Sequence, residues 1–179
     1  ECFLLKICAG YMQRPAGSVI YSAVLNNRGT YETDITAQRI TDNHYRLFVG
    51  TTAIKRDLAW FRRMKSDFNI RIEDVTLKYG MLSLMGPNAG DIVAKCGASE
   101  LNSLGYFKTC EAKLAGKPIR AARISYVGEA GWEITCGAED TPEIFSSIKS
   151  FGGQPAGLFA QTSMRIEKGF CAVGHELDS

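Results

Sequence analysis

The sequence has little of three things on which many functional sites depend: paired cysteines, histidine and an excess of one charge. Its six cysteines form no Cys-x-x-Cys pair and there are only two histidines, which excludes a disulfide scaffold and argues against a zinc site. Lys and Arg number 21 against 19 Asp and Glu, and a net charge of +2 gives no electrostatic case for nucleic acid. We therefore expect neither a bound metal nor a nucleic-acid partner.

Long hydrophobic runs are missing as well. The longest, Val19–Leu25 and Ala156–Ala160, are far shorter than the roughly 20 residues that a membrane-spanning helix needs, so we expect no membrane partner. Among the 179 residues, 45% are apolar and 22% are charged, as in an ordinary globular domain. The scattered cysteines favour reduced, mostly buried thiols in the cytoplasm or the mitochondrial matrix.

The sequence does contain regular alternation of strand-like and helix-like segments. Strands are predicted at Ser18–Leu25, Tyr31–Ile40, His44–Val49, Ile70–Val75, Met81–Met85, Phe107–Leu114, Ile119–Tyr126 and Trp132–Cys136. Helices are predicted up to Gly10, from Thr51 or Thr52 to about Lys65, from Asn88 to about Cys96, and at Thr141–Lys149 and Leu158–Lys168. Turn residues such as those of Asn26–Gly29 join strands into hairpins. The predicted fold class is therefore α+β, with mainly antiparallel sheets and packed helices.

The predicted second strand has one polar face. Four polar side chains alternate there with the apolar Ile35 and Ala37: Glu32, Asp34, Thr36 and Gln38. The alternation alone leaves open whether this face lines a cavity or meets water.

The segment R-I-S-Y-V-G-E-A-G-W-E-I, which begins at Arg123, carries the clearest chemical signal. A turn centred between Glu129 and Ala130 would pair Tyr126 with Glu133 on one face of a hairpin. A carboxylate beside an aromatic ring suits a flat, nitrogen-rich ligand, because the carboxylate accepts two parallel N–H bonds while the aromatic covers the ring. The residues alone leave open a plainer interpretation, a carboxylate at the rim of a half-exposed strand.

Four motifs between Leu25 and Asp178 resemble those of the aminomethyltransferase (glycine-cleavage T-protein) family, in the same order. The segment just described resembles Y-T-G-E-x-G-x-E, and L-N-N-R-G-T-Y-E-T-D-I-T resembles M-L-N-x-x-G-G-x-x-x-D-L-x-V. L-M-G-P-N-A resembles L-x-G-P-x-A, and R-I-E-K-G-F-C-A-V-G-H-E-L-D resembles R-L-E-A-G-x-x-x-x-G-x-E-L-D. The R-I-E-K-G form is most similar to the folate-binding domain of sarcosine and dimethylglycine dehydrogenases, which follows an FAD domain.

The resemblance implies that residues 1–179 are a folate-binding aminomethyltransferase-like domain, truncated at both ends, with an FAD domain in the same longer chain. It implies capture of the methylene unit of an iminium, formed by oxidation of sarcosine or dimethylglycine, as 5,10-methylenetetrahydrofolate. Asp34 falls on the functional aspartate of the family, and Tyr126 and Glu133 fall on its pterin-binding tyrosine and glutamate. One fixed carboxylate can act as base and stabilise positive charge, so the reaction requires no metal.

Two alternatives stay open. The first is a stand-alone T-protein that acts on an aminomethyl group carried by a lipoyl protein. Gln161 argues against it. T-proteins have an arginine at this position, and the resemblance implies that this arginine contacts the carboxylates of the folate tail. The second is a non-catalytic folate-binding protein of the regulatory or iron–sulfur repair type, in which Cys171 would be functional. We expect Cys171 to be a packed thiol instead.

Overall fold

The computed structural model describes residues 1–65 and 68–178 and divides into two compact units. The first unit contains Glu1–Asp74 and the described residues from Cys171 onward, and the second contains Val75–Phe170. Composition gave no sign of a boundary near residue 75. Residue 179, the end of the predicted domain, lies outside the described residues.

The first unit is built on a three-stranded antiparallel sheet. Its strands are β1 (Val19–Leu25), β2 (Tyr31–Thr41) and β3 (His44–Phe48), in that order across the sheet. The apolar side chains of the sheet form a core with the helices α1 (Cys2–Ile7) and α2 (Ile54–Met64). The core residues include Phe3, Leu4, Val24, Ile35, Ala37, Trp60 and Phe61. The predicted turn at Asn26–Gly29 joins β1 and β2, and Gly29 has φ +80° there, a conformation that glycine adopts without strain.

The second unit is built on a four-stranded antiparallel sheet in the order β4–β7–β6–β5. The strands are β4 (Tyr79–Met85), β5 (Thr109–Leu114), β6 (Lys117–Ala122) and β7 (Gly131–Gly137). The helices are α3 (Ala89–Lys95), α4 (Thr141–Ser150) and α5 (Leu158–Glu167). Apolar residues of α3 and α4 pack with one face of the sheet, and this core includes Ile92, Val93, Leu114, Ile119, Trp132, Ile134 and Ile144.

These sheets and helices confirm the α+β fold class with antiparallel sheets, but two local predictions were wrong. Ile70–Val75 forms no strand; Ile70 and Ile72 instead pack against the core of the first unit. The two-residue spacing of these side chains therefore reflects contact with the core rather than pairing in a sheet. The threonines expected to cap α2 form a 3₁₀ turn of their own, Thr51–Ala53, and α2 begins after it.

Short 3₁₀ turns also lie at Thr76–Lys78, Ser99–Ser103 and Ala138–Asp140. Within the described ranges, every helix is too short or too polar to pass through a bilayer.

Candidate functional site

Glu133 lies near the middle of β7, which has a neighbouring strand on each side. The residues before and after it, Trp132 and Ile134, are buried in the core of the second unit. Because side chains alternate along a strand, Glu133 points to the opposite face of the sheet. Its cross-strand partners there are Ser83 on β4 and Ala122 on β6. We call this surface, which also includes Met81 and Met85, the Glu133 face.

The Glu133 carboxyl group is half-buried on this face, and burial raises its pKa from 4.5 to about 7. Among residues 1–65 and 68–178, no group donates a hydrogen bond to this carboxylate or forms an ion pair with it. A half-buried carboxylate without a partner destabilises a fold, and such groups are concentrated at functional sites. Near neutral pH the group exists in both protonation states and can accept hydrogen bonds from a ligand.

Tyr126 does not pair with Glu133 in the sheet, so the predicted hairpin was wrong. β6 ends at Ala122, and Ala122 itself lies across from Glu133. The backbone of Arg123 still bonds to Phe107 and Lys108 just before β5, and the chain then turns away because the Ile124 N–H donates to the Ala122 carbonyl two residues earlier. The Arg123 guanidinium then donates to the carbonyls of Asn102 and Leu104. Residues 123–130 therefore form a loop, which we call the Tyr126 loop.

The Tyr126 loop nevertheless contacts the Glu133 face. The Tyr126 N–H lies 3.5 Å from the sulfur of Met85, whose Cα partner on β7 is Gly131, two residues from Glu133. The ring of Tyr126 stacks on Phe170, with ring centroids 6.1 Å apart and an angle of 12° between the planes. The structure therefore brings the loop of one predicted pterin-binding residue onto the face that carries the other.

Phe170 is held in turn by the end of α5. The buried Arg165 donates from its guanidinium to the Phe170 carbonyl at 2.8 Å, and the Phe170 N–H donates to the Arg165 carbonyl at 2.9 Å. The alkyl chain of Lys168 lies against Gly128 in the Tyr126 loop, where an added Cβ would come within 2.3 Å of it. Gly128 has φ +75°, a conformation that glycine adopts without strain.

Asp34 lies on β2 in the first unit, across from Ala23 of β1. Its side chain is half-buried, and the Tyr21 hydroxyl donates a 2.9 Å hydrogen bond to its Oδ2 atom. In the described part of the chain, Oδ1 receives no hydrogen bond. The candidate base therefore has one oxygen held in place and the other able to accept a proton.

The strand that carries Asp34 is fixed from its other face. The Thr33 hydroxyl donates to the buried Asp57 of α2 at 2.7 Å, and Arg56 donates to the other oxygen of Asp57 at 2.9 Å. This buried, charge-assisted contact ties β2 to α2 one residue away from Asp34.

The sequence also singled out Cys171 and Gln161, and it predicted no metal site. Cys171 is exposed, so the expectation of a packed thiol was wrong. All six cysteines are free thiols, but only Cys96 and Cys136 are fully buried. Gln161 is half-buried on α5. A search of the described residues for three or more His, Cys, Asp or Glu in a metal-binding arrangement finds none.

Sequence reasoning missed Tyr21. The pairing of β1 with β2 puts Tyr21 opposite Thr36 and Ala23 opposite Asp34, so Tyr21 is the diagonal neighbour of Asp34 on the same face. A β-bulge between Val24 and Leu25 shifts the register just after the turn, so pairing extended from Asn26–Gly29 alone would have put Asp34 opposite Ser22.

The whole chain matches a known family. The profile of the GCVT N-terminal domain matches residues 1–179, and the chain therefore belongs to that family. The chain is 34% identical over 161 residues to an aminomethyltransferase of Thermus thermophilus, covering 90% of this chain and 46% of that protein. It is 28% identical over 159 residues to an aminomethyltransferase of Staphylococcus epidermidis, covering 88% of this chain and 44% of that protein. The chain thus spans about half the length of these relatives.

Two solved structures share the fold. One is the glycine cleavage system aminomethyltransferase T of Bartonella henselae, with a TM-score of 0.80 and 24% identity, covering 93% of this chain and 45% of that one. The other is a heterotetrameric sarcosine oxidase of Corynebacterium, with a TM-score of 0.53 and 17% identity, covering 80% of this chain and 70% of that one. At these identities the likeness concerns the fold, an α+β aminomethyltransferase fold. Together with the family match, it identifies the chain as an aminomethyltransferase-type domain of the GCVT N-terminal family.

Proposed function

We propose that the chain binds tetrahydrofolate through Glu133 and transfers a one-carbon unit to it. The observation that carries the proposal is the half-buried Glu133 carboxylate, which has no partner among the described residues. A pterin ring offers an N3–H and a 2-amino group side by side, and an ionised carboxylate accepts both. Met81 and Met85 provide apolar, adaptable surface on the same face, and the backbone of the aromatic residue Tyr126 contacts Met85 there.

Asp34 serves as the base in this proposal. Transfer from a methylene iminium forms two bonds from folate nitrogens to the carbon and breaks its bond to the donor nitrogen. Two N–H protons leave the folate in the process; one ends on the released amine and Asp34 accepts the other. The hydroxyl of Tyr21 keeps the Asp34 carboxylate oriented during this step.

For the donor, we propose the iminium formed by oxidation of an N-methyl amine, sarcosine or dimethylglycine. The support is the R-I-E-K-G form of the last motif, together with Gln161 in place of the arginine of T-proteins. The oxidation would take place at FAD in a domain outside these residues.

A stand-alone aminomethyltransferase is the second candidate, favoured by the name that both relatives carry. To distinguish the two donors, the full-length protein is incubated with tetrahydrofolate and one donor at a time. The donor is either dimethylglycine, together with an electron acceptor, or an aminomethyl-loaded lipoyl protein. We expect 5,10-methylenetetrahydrofolate only from the N-methyl amine, in about one equivalent per amine oxidised. Product only from the lipoyl protein would establish the second candidate. Folate binding without product from either donor would instead indicate a non-catalytic relative.

Phe170 is expected to support folate binding through Tyr126. Phe170→Ala removes the ring on which Tyr126 stacks, and an aromatic pair contributes about 0.5–1.5 kcal/mol. We therefore expect the Kd for tetrahydrofolate to rise about 3- to 10-fold, whereas Phe170→Tyr retains the affinity.

The matched control for this test is Phe145→Ala. Phe145 lies on α4 and is 40% exposed, against 38% for Phe170, so it controls for the loss of a half-exposed ring. Equal affinities of wild type and Phe170→Ala would show that the stack does not orient Tyr126.

A further inference from the structure

Ser83 is the polar neighbour of Glu133 on the Glu133 face. The two residues are direct partners in the pairing of β4 with β7, which brings their Cβ atoms to about 4.5–5.5 Å. Ser83 is exposed, and in the described chain its hydroxyl forms no hydrogen bond. The partner of Glu133 on the other side, Ala122, is fully buried and has no polar side-chain atom. Of the two cross-strand neighbours of Glu133, only Ser83 carries a side-chain hydrogen-bond donor.

We infer that Ser83 is a specificity-determining residue that donates a hydrogen bond to the C4 oxygen of the pterin ring. The inference rests on the proposed binding of the pterin by Glu133. In a pterin the C4 carbonyl adjoins N3, on the side away from the 2-amino group. A carboxylate that accepts from N3–H and the 2-amino group thus has the C4 oxygen beside it. Of the two cross-strand neighbours of Glu133, Ser83 on β4 is the one that carries a hydroxyl for this oxygen.

The asymmetry of the two neighbours also sets the direction of the ring. The C4 edge lies toward β4, an edge strand of the sheet, and the 2-amino group lies toward Ala122 on β6. The reversed ring would turn the C4 oxygen toward the side of Ala122, whose side chain cannot donate a hydrogen bond. A polar atom without a partner in the bound state weakens binding, so the hydroxyl selects one of two orientations that the carboxylate alone would accept.

The test compares Ser83→Ala, Ser83→Thr and the control Ser99→Ala in the full-length protein. Ser99 is exposed in the same unit and belongs to the turn at Ser99–Ser103, away from the Glu133 face. We expect Ser83→Ala to raise the Kd for tetrahydrofolate about 3- to 10-fold, the equivalent of one hydrogen bond. Ser83→Thr, which keeps the hydroxyl, and Ser99→Ala should bind like wild type.

A second measurement reports the hydrogen bond itself. With tetrahydrofolate labelled with ¹³C at C4, the carbonyl stretching frequency in the infrared spectrum of the complex should be higher in Ser83→Ala than in wild type. A merely structural role of Ser83 would leave this band in place. Equal affinity and an unchanged band in Ser83→Ala would overturn the inference alone, whereas failure of the wild type to bind tetrahydrofolate would overturn the proposed function with it.

Discussion

Asp34→Asn is expected to bind tetrahydrofolate with a Kd within about threefold of wild type and to lose about 100- to 1,000-fold in the rate of methylene transfer. The amide nearly preserves the shape of the side chain and can still accept from Tyr21, so the local structure should hold. It cannot accept the proton that leaves the folate or stabilise positive charge beside it. The measurement is single-turnover formation of 5,10-methylenetetrahydrofolate by the full-length protein, with binding measured separately.

Glu32→Gln provides the control for Asp34→Asn. Glu32 lies two residues earlier on β2 and is also half-buried, so the variant removes a similar charge from the same strand. Its transfer rate should stay near the wild-type value. Transfer by Asp34→Asn at the wild-type rate would remove Asp34 from the reaction.

The affinity for tetrahydrofolate is expected to rise about tenfold between pH 6 and pH 8. The pKa of Glu133 is about 7, so the carboxyl group is mostly protonated at the lower pH and mostly ionised at the higher. Only the ionised form accepts from both N3–H and the 2-amino group. Glu133→Gln should abolish this pH dependence, whereas Glu129→Gln, an exposed carboxylate in the Tyr126 loop, should retain it.

The same raised pKa predicts an opposite effect on stability. Between pH 4.5 and 7 the unfolded chain releases the Glu133 proton while the folded chain retains it, so the free energy of unfolding falls as the pH rises. A shift of this size corresponds to at most about 3 kcal/mol. Glu133→Gln should therefore be more stable than wild type at pH 8 and nearly equal to it at pH 4.5, as urea unfolding would show. A variant that gains stability while it loses ligand affinity identifies a carboxylate placed for binding.

The alternation of side chains in the strands made much of the first unit predictable. Ile35 and Ala37 are buried as the pattern indicates, and Asp34 is on the other face. Gln38 differs, because it belongs to the polar face of β2 and is fully buried. Alternation tells which side chains share a face, but what covers that face depends on tertiary packing.

The connection from β6 to β7 could not be predicted in the same way. The sequence around Glu129 contains two glycines and permits a tight hairpin. The chain bends after Ala122 instead, and besides the local Ile124–Ala122 hydrogen bond it is held by contacts that are distant in sequence, those of Arg123 with the carbonyls of Asn102 and Leu104. The family was therefore predictable from these residues, while the backbone that presents Tyr126 required the structure.

The central claim is that Glu133 holds the pterin ring, and calorimetric titration of tetrahydrofolate into wild type, Glu133→Gln and Glu129→Gln at pH 8 tests it most directly. Loss of charge-assisted hydrogen bonds of about 1.5–3 kcal/mol predicts that the Kd of Glu133→Gln rises about 10- to 100-fold. Glu129→Gln should bind like wild type. Equal affinity of wild type and Glu133→Gln would contradict the account.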